Sequence, residues 1–169
     1  MALRFQQSAK RTFEDSRRYA KEHKHEYLTP EHILRTILDQ HPGIYENVDE
    51  KVIIKSLDEY LDTYISKVEK EPIESADFHG MANRAAQCTM NAGKDEIESA
   101  DILAGIWNTK CQASMILKAY KITKDDTISA ARKLKEPTKF DSNGTFCKDI
   151  GSLLMLLGWA IYNGNQEVK

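Results

Sequence analysis

The segment around residues 26–34 returns in altered form near residues 96–103, and this internal echo constrains the fold of the 169-residue chain more than any other feature. Glu26-Tyr27 corresponds to Glu96-Ile97, and Ile33-Leu34 to Ile102-Leu103. The two offsets are 70 and 69, which predicts a second unit one residue shorter in its turn. A repeat of about 70 residues exceeds the roughly 33–47 of the commoner helical repeats. Each unit is too small to bury its apolar faces well alone, so the two are expected to pack as one globule.

Within each unit almost every segment reads at helical period. The first helix is predicted from about Phe5 to Glu22, with Phe5, Ala9, Phe13, Ser16 and Ala20 on one face. His23-Lys24-His25 forms its end. Thr29 then suits an N-cap, Pro30 the first helical position and Glu31 the first turn, because a hydroxyl, a missing amide and a carboxylate all satisfy a helix start. Ile33, Leu34, Ile37 and Leu38 follow until His41-Pro42-Gly43 stops the helix. A short helical turn is expected around Ile44 and Tyr45. A longer helix from Asp49 carries Val52, Ile53, Leu57, Tyr60, Leu61, Tyr64, Ile65 and Val68 as a stripe. After the charged spacer Glu69–Glu74 the scheme restarts. Ser75 caps a helix through Met90 with Gly93 beyond its end, and Ser99 caps Ala100–Trp107. A short helix near Ser114–Leu117 follows, and Thr123 opens another with Ile128, Ala131 and Leu134 inward, closed by Pro137. The expected fold is all-α: two four-helix units in one globular domain (1–70 and 71–137), followed by 138–169 as linker, apolar tail and extra helix.

Charge and cysteine usage narrow the function. The net charge of −2 comes from 24 basic and 26 acidic residues that are well mixed, which argues against a nucleic-acid partner. Cys88, Cys111 and Cys147 fall in no CxxC or Cys/His metal spacing, so reduced thiols in a cytoplasmic protein are expected. The longest apolar stretch, Ile150 to Tyr162, falls short of the ~20 residues a membrane-spanning helix needs. There is no GxxxxGK[ST] phosphate loop and no recognisable nucleophile motif, so neither catalysis nor a cofactor is expected. His23 and His25 lie two apart and His32 beyond a turn, which does not predict a metal site. Tyr45, Tyr60 and Tyr64 read as core or half-buried residues.

The run Ala20-Lys21-Glu22-His23-Lys24-His25-Glu26-Tyr27-Leu28-Thr29-Pro30-Glu31-His32-Ile33-Leu34 is similar to the signature of the Clp N-terminal repeat. That signature is a helix ending in a basic or His-rich run, then Glu, an aromatic or apolar residue, Thr-x-Glu-His and a Leu-rich helix. Asn91 through Leu103 resembles the second repeat of ClpA-type members, with Ala100 and Asp101 where Glu31 and His32 stand in the first half. The resemblance covers roughly Phe5 to Lys135. It implies a mobile docking domain tethered to a ring-shaped AAA+ unfoldase, recruiting protein substrates directly or through a small ClpS-like adaptor. It also accounts for His25 and His32 as helix-end and packing residues.

On that resemblance the partner-binding residues are Glu26, Tyr27, Thr29 and Glu31, the two acids forming an anionic lip for a basic side chain. A stand-alone Clp-repeat protein, acting as adaptor, decoy or regulator, is the alternative. The apolar segment 150–162 does not match the family signature. It is expected either to fold back on the domain or to dock on a partner or a second copy, since an exposed apolar patch is otherwise a liability.

Overall fold

In a computed structural model, residues 3–135 are described; the apolar segment 150–162 lies outside them. Short strands and helices alternate: β1 (Arg4–Phe5), α1 (Gln7–Glu22), β2 (Tyr27–Leu28), α2 (Pro30–Gln40) and α3 (Glu50–Tyr64) form the first half. The second half is β3 (Ile73–Glu74), α4 (Ala76–Asn91), β4 (Glu96–Ile97), α5 (Ser99–Trp107), α6 (Gln112–Ala119) and α7 (Lys124–Leu134).

α2, α4 and α7 begin where the cap chemistry places them. Ser75 Oγ accepts the amide of Phe78, and Thr123 Oγ1 that of Asp126. Thr29 caps α2, but the third helical residue is His32, whose Nδ1 accepts the Thr29 amide at 3.1 Å where a capping box normally has Glu or Gln. In α5 the cap is Glu98 rather than Ser99, and Asp101 Oδ2 accepts the Glu98 amide at 2.9 Å. Those caps fix the register between the halves. Thr29 and Glu98, His32 and Asp101, β2 and β4, and β1 and β3 are each 69 apart, so the turn has lost no residue.

The strands pair reciprocally across the halves. β1 runs parallel to β4 and β2 parallel to β3, so each half lends its opening strand to the middle of the other. Two-residue ladders carry no period-2 signal. The first helix therefore starts at Gln7 rather than Phe5, and the end of the charged spacer is β3.

Two further expectations change. Around Ile44 and Tyr45 the chain forms turns, not a helix, leaving seven helices among the described residues. α3 ends at Tyr64, so Ile65 and Val68 fall beyond it; Tyr64 itself is exposed, as are Val52 and Ile128.

The core joins both halves. Phe13 meets Phe5 and Phe78 edge-on, with ring centroids 5.5 and 5.8 Å apart, an arrangement that aligns ring edges with faces. α4 and α5 pack closely at Gly105, where an added Cβ would stand 2.7 Å from the carbonyl oxygen of Met81.

Candidate functional site

The turn between α1 and α2, which carries all four expected partner-binding residues, is built from the end of α1. Lys24 adopts φ 60°, the left-handed conformation that closes a helix, and His25 N–H returns to Ala20 O at 2.9 Å. Gly93, 69 residues later, does the same at φ 72° in the second half. Beyond Lys24 the chain is stitched to the connection between the halves. Glu26 N–H donates to Ser66 O at 2.8 Å, Ile73 N–H to Glu26 O at 3.0 Å and Ser75 N–H to Leu28 O at 3.0 Å.

Beneath the turn lies a buried polar chain. His25 Nδ1 is 2.9 Å from His32 Nε2, and His25 Nε2 is 3.2 Å from Asp62 Oδ1. Because the Thr29 amide donates to His32 Nδ1, one tautomer set satisfies every contact. His32 Nε2–H donates to His25, and His25 Nε2–H donates to Asp62, with both imidazoles neutral. Burial pushes the pKa of His25 down and that of His32 to about 3. The chain ties α2 and the turn to the end of α3. Among the described residues no group of three His, Cys, Asp or Glu side chains is arranged to hold a metal ion.

The four expected residues face different ways. Glu31 is only 2% exposed, and its Oε2 accepts the amide of Ala113 at 2.7 Å. Ala113 lies in the first turn of α6, so Glu31 satisfies a free amide there, and its negative charge suits the positive helix end. Burial raises its pKa, while the Ala113 amide and Thr29 hydroxyl pull it back. Thr29 is buried too. The expected lip therefore presents Glu26, half-buried, and Tyr27, 39% exposed, but not the carboxylate of Glu31.

Sequence reasoning missed the third member of this surface. Ile73, within the spacer, lies opposite Tyr27 in the β2–β3 ladder and is 59% exposed. An apolar residue isolated among Glu71, Pro72 and Glu74 was the available signal. The resulting surface sets an aromatic ring and an aliphatic side chain side by side on paired strands, with Glu26 preceding Tyr27 in the chain. Exposed aromatic and aliphatic side chains of this kind are common anchors of protein interfaces.

The fold has counterparts among solved structures. The Hsp104 N-terminal domain from Candida albicans shares 15% identity over 78% of this chain and 91% of its own, with a TM-score of 0.67. The N-terminal domain of the ClpV1 ATPase from the E. coli EAEC Sci1 T6SS shares 20% over 86% and 91%, at 0.61. A structure named for a peptide from the SciI protein of that E. coli system shares 18% over 85% and 88%, at 0.56. The family model for the Clp repeat (R) N-terminal domain matches residues 4–120, spanning both the reciprocal strand pairs and the α1–α2 turn, and the chain belongs to that family.

Proposed function

We propose that this is a non-catalytic protein-binding domain that docks protein substrates, or a small ClpS-like adaptor, for an ATP-dependent Clp unfoldase. The observation that carries this reading is the exposed Tyr27–Ile73 pair, with Glu26 next to Tyr27 in the chain. Exposed aromatic and aliphatic side chains on a rigid base, edged by charge, are the usual anchors of a protein interface. The turn is held by backbone bonds on both sides and by the histidine chain beneath, so little order is lost on binding. Thr29 and Glu31 act by positioning: one caps α2, and the other ties α2 to α6. The Clp ATPases and the SciI peptide named with the similar structures are the class of parent and the class of ligand this reading expects. The proposed site lies in the cytoplasm. No helix among the described residues is long and apolar enough to cross a membrane.

The test is titration of the purified chain with a ClpS-type adaptor by calorimetry. Saturable binding supports the reading. No heat and no co-migration with either an adaptor or an unfolded substrate would remove it.

A further inference from the structure

The second half carries a cleft whose counterpart in the first half is filled. Between α5 and α7 lies a cavity of about 450 Å³ with Ala100, Ala104, Trp107, Ile128 and Ala131 on its walls. Position 104 is 69 beyond Arg35, the spacing that relates α5 to α2. The caps Asp49 and Thr123 are 74 apart, which aligns Arg132 of α7 with Asp58 of α3. In the first half Arg35 Nε reaches Asp58 Oδ1 at 2.5 Å, and its guanidinium lies 4.1 Å from the centroid of the Tyr19 ring. That bridge spans the space between α2 and α3. In the second half the same positions hold the methyl group of Ala104 and the cation Arg132, so no bridge forms and Ile128 is left 39% exposed.

Among the described residues, the charge on this cleft's lining that no ion pair engages has one sign. Lys124, Arg132 and Lys135 line its α7 side, all exposed, and no ion pair engages them among the described residues. Among the described residues Asp101 is the only acid on the lining, and Lys94 already holds it at 2.9 Å. The neighbouring carboxylate of Asp126 is spent on the Thr123 amide at 2.8 Å.

We propose that this cleft binds an amphipathic helix of a partner protein, its apolar edge seated between α5 and α7 and its flanking side chains Asp or Glu. The proposal rests on the protein-binding reading above but concerns a different surface. Alanines at 100, 104 and 131 let a helix backbone approach closely, while Trp107 and Ile128 supply the anchors. α7 is 11 residues long, about 16 Å, which accommodates three turns and anchors at i, i+3 or i+4, and i+7. The three cations select carboxylates and speed encounter, at the cost of sensitivity to salt. The two halves would then take partners of opposite charge, one at the Glu26–Tyr27 turn and the other at the α5–α7 cleft.

The test uses the full chain and labelled synthetic helices sharing one apolar face, flanked either by Glu or by Lys, with a scrambled Glu peptide as control. Fluorescence anisotropy at low salt should show the Glu-flanked helix binding about tenfold tighter than the Lys-flanked one, the gap narrowing as salt rises. Arg132→Glu with Lys135→Glu should invert the preference. Ala104→Arg should weaken binding about tenfold by filling the cleft, the order of effect expected from losing an anchor pocket. Tyr27→Ala should leave this binding intact, which separates failure here from failure of the adaptor site. Equal binding of all three peptides, or affinity unmoved by both cleft variants, would overturn the proposal. So would displacement of the Glu-flanked helix by a single-stranded oligonucleotide. Binding that appears only in a chain ending at Lys135, or a cleft closed by a second copy, would likewise assign it to another occupant.

Discussion

The carboxylate of Glu31 accepts the amide of Ala113 at 2.7 Å, joining residues 82 apart in sequence and closing the N-terminus of α6 with a side chain from α2. Truncating Glu31 to Ala leaves a buried amide without its acceptor and is predicted to cost about 1.5–3 kcal/mol, the scale of a hydrogen bond to a charged group. Glu31→Gln keeps an acceptor oxygen and removes a charge whose pKa burial has already raised, so it should cost much less. Urea denaturation of the two variants at neutral pH checks the order. Equal losses would mean that the charge, not the acceptor, holds α6.

The histidine chain makes the domain sensitive to mild acid. Folding lowers the pKa of both His25 and His32, so the unfolded chain takes up protons first as the pH falls. Their contribution to stability is complete above about pH 6.5 and is lost as the pH drops toward the value of about 3 held by His32. Below pH 6.5 each unmatched proton costs up to about 1.4 kcal/mol per pH unit. Denaturation midpoints at pH 7 and pH 5 should therefore differ, and His32→Gln should flatten the slope. Identical midpoints in the wild-type chain would contradict the buried neutral chain.

At Gly105 the absence of a Cβ is what allows α4 and α5 to meet. Gly105→Ala gains helix propensity of about 1 kcal/mol, yet it forces a methyl to 2.7 Å from Met81 O. A net loss of about 1–3 kcal/mol is predicted from overpacking, seen as a lower thermal midpoint. An unchanged or higher midpoint would show that the helices can part freely.

Lys24 is the opposite case, a side chain in a conformation that suits glycine. Lys24→Gly should stabilise the chain by up to about 1 kcal/mol, since its ion pair with Glu69 is exposed and contributes little. Gly93 already fills the matching place in the second half. A fall in stability would mean the Lys24–Glu69 pair matters more than the backbone strain.

Much of this was legible from local chemistry. Thr29-Pro30-Glu31, Ser75 and Thr123 announce helix starts through groups that act within one turn. What stayed hidden depends on the chain returning to itself. β1–β4 and β2–β3 are two residues long and join distant segments, so no local period betrays them. Glu31 reads as a surface acid in a first turn, because only the folded chain brings Ala113 beneath it. Ile73 reads as spacer until Tyr27 is set beside it, and Ile128 reads as core because its register suits the helix, although Ala104 leaves it uncovered.

In the proposed function, Glu26 and Tyr27 of the α1–α2 turn and Ile73 of β3 bind proteins. Calorimetric titration of a ClpS-type adaptor into the wild-type chain and into a Glu26→Gln, Tyr27→Ala, Ile73→Ser variant decides this. The prediction is a loss of affinity of at least about tenfold, the scale of removing interface anchors, with an unchanged thermal midpoint. Equal affinity in the folded triple variant would contradict it.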